Sequence, residues 1–168
     1  VGPSLELVNP GFSTLNALFG GDWLAATAPS GTPGRVNSVH QALPLPVVGE
    51  VEHSPALPAP GGSVLITARG RGFTANALAT MTLQWRRDSL PAQGWSDAPM
   101  RDDGTEGDDI PNDGIWSVRL PGYGQAAFTD RTLLEYRITA QDDQGNSRQY
   151  PAYTTAGVTS TPLSYLCL

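Results

Sequence analysis

Lysine is missing from this chain: its ten positive residues are all arginine, set against sixteen acidic ones for a net charge of −6. The arginines are scattered apart from Arg86-Arg87 and the Arg69/Arg71 pair. Without a basic cluster there is no footprint for a phosphate backbone, so no nucleic acid is expected as a partner. Cysteine is nearly absent too. Cys167 is the only one, which excludes an internal disulfide, and so close to the end of the chain it has no expected partner base or pocket. No apolar run reaches 18 residues, so no membrane insertion is expected, and no signal-peptide pattern is visible. The nucleophile elbow G-x-S-x-G is absent. No window of about 12 residues carries an apolar i, i+3, i+4, i+7 stripe unbroken by Pro or Gly, which excludes long helices.

What the chain does have is punctuation. Its 168 residues hold 15 prolines and 19 glycines with 39% hydrophobic residues, a balance that favours short strands joined by turns. The expected fold is all-β, an immunoglobulin-like antiparallel sandwich of about seven strands between residues 47 and 155. The clearest runs alternate with period two. Val64, Ile66 and Ala68 share one face of residues 63–70, and Met81, Leu83 and Trp85 share one face of residues 79–87. Trp116, Val118 and Leu120 follow the same rule, as do Leu134, Tyr136, Ile138 and Ala140. Strands with one buried face read this way, so Val64, Ile66, Leu83, Trp85, Trp116, Val118, Tyr136 and Ile138 are the expected core. Residues 96–100, 48–52 and a return towards Tyr150 supply the shorter strands. At the front, residues 4–8 read as a single strand and residues 20–38 as a loop-rich passage with one large anchor, Trp23. One strand and one tryptophan are not expected to make a sheet.

The most informative stretch is 100–116, M-R-D-D-G-T-E-G-D-D-I-P-N-D-G-I-W. Six acidic residues are interleaved with Gly104, Gly107 and Gly114, which let the backbone fold back and aim carboxylates at one place. Asp102, Asp103, Asp108, Asp109 and Asp113, with Asn112 as a neutral oxygen donor, are the candidate metal ligands. Oxygen donors with no Cys or His nearby favour Ca²⁺ over zinc, and their number favours it over magnesium. The spacing is not that of an EF-hand, and an exposed, solvated hairpin explains the same composition.

The string M-x-D-D-G-x-x-G-D-x-x-x-x-D-G-I-W-S-x-x-L-P, followed by L-x-E-Y-R-I-T-A-Q-D-x-x-G-N-S, resembles an Ig-like or fibronectin-III-like module of large secreted bacterial proteins. Upstream, S-L-E-L-V-N-P, D-W-L-A-A-T and G-T-P-G-R-V-N-S resemble the closing strand and exit of a lamin-tail-like domain. Trp23, Thr32, Pro33, Gly34 and Asn37 occupy the motif positions. The resemblance implies that residues 1–46 are the remnant of such a domain plus a Pro-rich linker, with residues 47–168 the sandwich, the whole a piece of something longer. It implies a secreted or cell-surface, non-catalytic spacer or adhesion module whose partners are neighbouring domains of its parent chain, another protein or a glycan. The alternative is an ancillary carbohydrate-binding domain of a secreted hydrolase.

Other chemistry fares less well. Paired carboxylates suggest a glycosidase, but in one solvated loop nothing separates the pKa values of an acid and a base. His40 and His53 fall in Pro-rich connections expected to be exposed. Of the tryptophans, Trp85 and Trp116 face a core by their alternation, while Trp95, after a glycine in a loop, is the candidate for a surface that stacks on sugar.

Overall fold

The computed structural model describes residues 3–8, 23–43, 45–59, 61–73, 77–88, 94–121, 128, 132–151 and 164–167. The side chain of Cys167 lies outside the described residues. Among these residues there is no helix. Ten strands occur: β1 (Leu5–Leu7), β2 (Trp23–Ala25), β3 (Val47–Ser54), β4 (Val64–Arg71), β5 (Leu78–Arg87), β6 (Ser96–Pro99), β7 (Ile115–Leu120), β8 (Leu133–Asp142), β9 (Ser147–Tyr150) and β10 (Ser164–Cys167). All pairings are antiparallel.

Two sheets form a sandwich. One has the order β3-β4-β7; in the other, β6 pairs with β5 and β5 with β8. The far edge of β8 is shared end to end. β9 pairs with its residues 138–141 and β10 with 133–136, so two segments act as one interrupted edge strand. The core takes Val48, Val64, Ile66, Ala68, Val118 and Leu120 from the first sheet. Met81, Leu83, Leu134, Tyr136, Ile138 and Ala140 come from the second, closed by Met100 and Phe128. All eight expected core residues are in or against this cluster, Trp85 and Trp116 as half-buried side chains packed on it. Trp85 meets the Phe128 ring edge-on, centroids 5.2 Å apart.

The alternation works because β4 tapers from large to small. Val64, Ile66 and Ala68 are fully buried, and Gly70 continues the same face. A Cβ at Gly70 would lie 2.1 Å from Met81 Sδ and 2.9 Å from Trp116 Cδ1, so only glycine admits both. His53 lies within β3 and is half-buried, not in an exposed connection. The strand extends further than its proline-bounded sequence suggests because β4 pairs with it out to Ser54.

The front of the chain departs most from expectation. β1 has a partner, β2, and Trp23 belongs to that strand, 38% exposed rather than anchoring a loop. Polar chemistry makes this possible. The Glu6 carboxylate accepts hydrogen bonds from Thr32 Oγ1 at 2.5 Å and from the Ser38 amide and hydroxyl at 2.7 Å each. Asn37 Nδ2 donates to the Leu7 carbonyl at 2.7 Å. The segment 32–38 is thereby stapled onto β1, covering Glu6 close to the molecular surface. These donors, Thr32 first and then Ser38, hold the Glu6 carboxyl below its ordinary pKa against an opposing desolvation.

Two outcomes follow for this architecture. Leu83 is fully buried, so Leu83→Ala is expected to cost about 2–5 kcal/mol in urea unfolding. The Glu6 staple has a depressed folded pKa, so its contribution is complete above the unfolded value, about 4.3, and is lost as pH falls through the lower folded value. The Ser38 amide, measured by hydrogen exchange, should hold its protection at pH 6 and lose it towards pH 3, whereas the Ile66 amide in the sandwich should not follow.

Candidate metal centre

The acidic loop runs from the end of β6 to the start of β7 and crosses from one sheet to the other. Its base is closed by a two-way bridge: Arg101 N donates to Ser117 O at 2.8 Å, and Ser117 N to Arg101 O at 2.7 Å. Met100, just before it, is buried in the core. The loop then lies over the outer face of the three-stranded sheet. At Gly107, with φ of 98°, an added Cβ would come 2.5 Å from Leu65 Cδ1 of β4, which explains a glycine there. Ser117 is fully buried, and its hydroxyl has no protein partner.

Aspartates hold the loop by accepting backbone N–H groups, as short acidic side chains do in turns. Asp102 takes the amides of Asp113 (3.1 Å) and Gly114 (3.2 Å), joining the two ends of the loop, while its own carbonyl accepts from Asn112 N at 3.1 Å. Asp108, only 8% exposed, takes Gly104 N at 2.6 Å and Ile110 N at 3.3 Å. Asp113 caps Ile115 N at 2.8 Å. Asp103 is occupied by the Thr105 amide and hydroxyl.

This folding brings three of the candidate ligands together. Asp102, Asp108 and Asp113 each present a carboxylate oxygen within 4.8 Å of the others. Oxygens bound to one cation at 2.3–2.6 Å are at most roughly 5 Å apart, so the group is able to hold a metal ion. Asp103 and Asp109 lie outside it, both exposed. Asn112 is exposed and lines, with Asp102, Gly114 and Trp116, an open groove of about 350 Å³ that borders the loop. One cation that senses the cluster is Arg69 of β4. It pairs with Glu50 at 2.7 Å, and its pKa is raised first by that partner and in smaller part by Asp113.

A second polar constellation was invisible in the sequence. On the outer face of the other sheet the Trp95 ring is approached by two guanidinium groups, Arg86 at 4.6 Å and Arg137 at 4.5 Å from its centroid. Arg86 Nε donates to Glu135 at 2.5 Å. The Asp88 pKa is raised, first by a hydrogen bond to Glu135, then by desolvation and the nearby Glu135 charge, with Arg86 opposing. The only sequence signal for this cluster was Trp95 itself; its partners are set by strand register.

No protein-family model matches this sequence, and no curated protein matches it.

Two opposed effects decide what each aspartate does without a cation. Repulsion between carboxylates near 4–5 Å is about 1 kcal/mol per pair in water and is screened by salt. A hydrogen bond to a charged acceptor is worth about 1.5–3 kcal/mol, and hydrogen bonding wins where the group is buried. In chelator, Asp108→Ala should therefore cost about 1–3 kcal/mol, and Asp109→Ala should stay within about 0.5 kcal/mol. Equal effects in paired denaturation curves would dismiss the hydrogen-bonding role assigned to Asp108.

Proposed function

We propose that this chain is a non-catalytic extracellular module that spaces or joins neighbouring domains of a secreted or surface protein, and that its acidic loop binds Ca²⁺. The observation that carries the reading is the convergence of Asp102, Asp108 and Asp113 at the crossing between the two sheets. An all-oxygen donor set of three carboxylates suits a hard divalent ion, and flexible loop geometry suits calcium better than the strict octahedron of magnesium. Each carboxylate has about four lone-pair positions, so the backbone bonds already made leave room for a cation. Calcium there would cancel the mutual repulsion of the three charges and tie the loop into the sandwich as a stiff unit.

Under this reading residues 47–168 are an Ig-like or fibronectin-III-like sandwich and residues 1–46 the tail of a lamin-tail-like domain with its linker. Strand order supports it. Counting sandwich strands from β3, the second pairs with the fifth and the third with the sixth, as in immunoglobulin-type sandwiches. The fourth, β6, pairs with the third instead of the fifth, a departure from the immunoglobulin constant-type arrangement.

The test is a melting curve in millimolar calcium against chelator. Binding to the folded state alone adds RT ln(1 + [L]/Kd), about 2.7 kcal/mol at a hundredfold excess over Kd. Loop sites in extracellular modules lie near Kd of about 10⁻⁴ to 10⁻³ M, so the shift should grow across the millimolar range. It should vanish in Asp102→Asn and Asp113→Asn and persist in Asp109→Asn. A parent chain that melts identically with and without calcium rejects the calcium reading.

A further inference from the structure

We infer that the outer face of the β6-β5-β8-β9 sheet is a binding groove for a neutral oligosaccharide, which goes beyond a spacer role by giving the module a ligand of its own. An open groove of about 330 Å³ runs across this face, lined by Thr80, Thr82 and Gln84 of β5, Asp97 of β6, Thr139 and Gln141 of β8, and Ser147 of β9. That volume falls at the lower end of ordinary ligand sites, roughly 300–1,000 Å³. Six of the seven side chains are neutral hydroxyls or amides, each able both to donate and to accept. Such a set suits a ligand made of hydroxyl groups, which also does both. A merely solvated face is more usually covered by long, mobile charged side chains.

The groove is also rigid. Gln84 is held from both sides, donating through Nε2 to Asp97 at 2.8 Å and accepting at Oε1 from Arg137 Nε at 2.7 Å. Arg137 continues to the Trp95 ring, the ring to Arg86, and Arg86 to Glu135. The chain of contacts spans three strands and fixes the Gln84 and Asp97 rotamers, which a ligand would otherwise have to order, and so lowers the entropic cost of binding. Strand register explains the assembly: Gln84 pairs with Asp97 on one side and Arg137 on the other, and Trp95 follows one place before Ser96, the partner of Trp85. Trp95 is half-buried at the end of this row, its ring faced by the Arg86 and Arg137 guanidinium groups. The two arginines are set against Asp97, Glu135 and Asp88, so the face carries no excess of positive charge. That balance selects a neutral glycan over a polyanion.

The intact chain is to be run by affinity electrophoresis through gels containing β-glucan, xylan or mannan as neutral polysaccharides and polygalacturonate as the polyanion, each with calcium and with chelator. Retardation by at least one neutral polysaccharide is expected, unchanged by chelator, because the acidic loop lies against the other sheet. The affinity should fall at least tenfold in Gln84→Ala and in Thr139→Val, which keeps the branched shape a strand prefers and removes only the hydroxyl. Leu57→Ser, at an exposed turn, should bind as the parent does. The melting temperature of each variant separates lost binding from lost folding. Mobility unaffected by every neutral polysaccharide, retardation confined to polygalacturonate, or binding that survives in folded Thr139→Val would each overturn the inference. Calcium binding is read separately from the melting curves, so either conclusion can fail without the other.

Discussion

The pairing of β5 with β8 is the constraint on which the rest of this structure depends. In its register Met81 faces Ala140, Leu83 faces Ile138 and Trp85 faces Tyr136. Between them Thr82 faces Thr139, Gln84 faces Arg137 and Arg86 faces Glu135. One ladder thus sorts a continuous apolar surface onto one side and a continuous polar surface onto the other. A slip by one residue would exchange the two surfaces and bury the arginines, so the hydrophobic demand for a core also sets the polar groove. β8 additionally offers its other edge to β9 and β10, which leaves the longest strands of the sheet paired on both sides.

The acidic loop is built on the opposite principle. It has few apolar contacts and is held by carboxylates that stand in for missing backbone partners. Its turns need left-handed backbone, with φ of 79° at Gly104, 98° at Gly107 and 84° at Gly114, and even non-glycine Glu106 and Asn112 adopt it at 56° and 61°. Gly107 is needed twice over, for its φ and for its closeness to Leu65. The same hydrogen bonds that shape the loop set Asp102, Asp108 and Asp113 beside one another. Local turn chemistry and a shared electrostatic site are therefore inseparable here: Asp102 and Asp108 satisfy backbone elsewhere in the loop while Asp113 caps the start of β7, and the three carboxylates meet.

At the front of the chain the hydrophobic effect has little to work with. Leu7, Val8 and Ala26 are buried, but Leu5 and Leu24 remain largely exposed. The ribbon of β1 and β2 is closed by Glu6 and its donors on 32–38, an arrangement in which one carboxylate replaces a core. Two-stranded ribbons are marginal on their own in water, so the ribbon leans on that polar closure, which acid weakens as Glu6 is protonated.

Period-two alternation made the long strands legible in the sequence alone. Residues 64–70, 79–87, 116–120 and 134–140 repeat an apolar side chain every second position because successive side chains of a strand point to opposite faces, a property of the local backbone. The fold class and the core followed from it, and so did the existence of an acidic turn-rich loop, since Asp and Gly act on their immediate neighbours. The elements that escaped are those whose cause lies far along the chain. β2 and β10 are only three and four residues long, too short for a period, and they are strands because β1 and the free edge of β8 give them partners. Which three of the six candidate ligands meet was decided by left-handed glycines and the Arg101–Ser117 bridge. The setting of Trp95 was decided by strand register. Local stereochemistry repeats along the chain and can be read there; a register joins segments distant in sequence and exists only once the sheets have closed on their core.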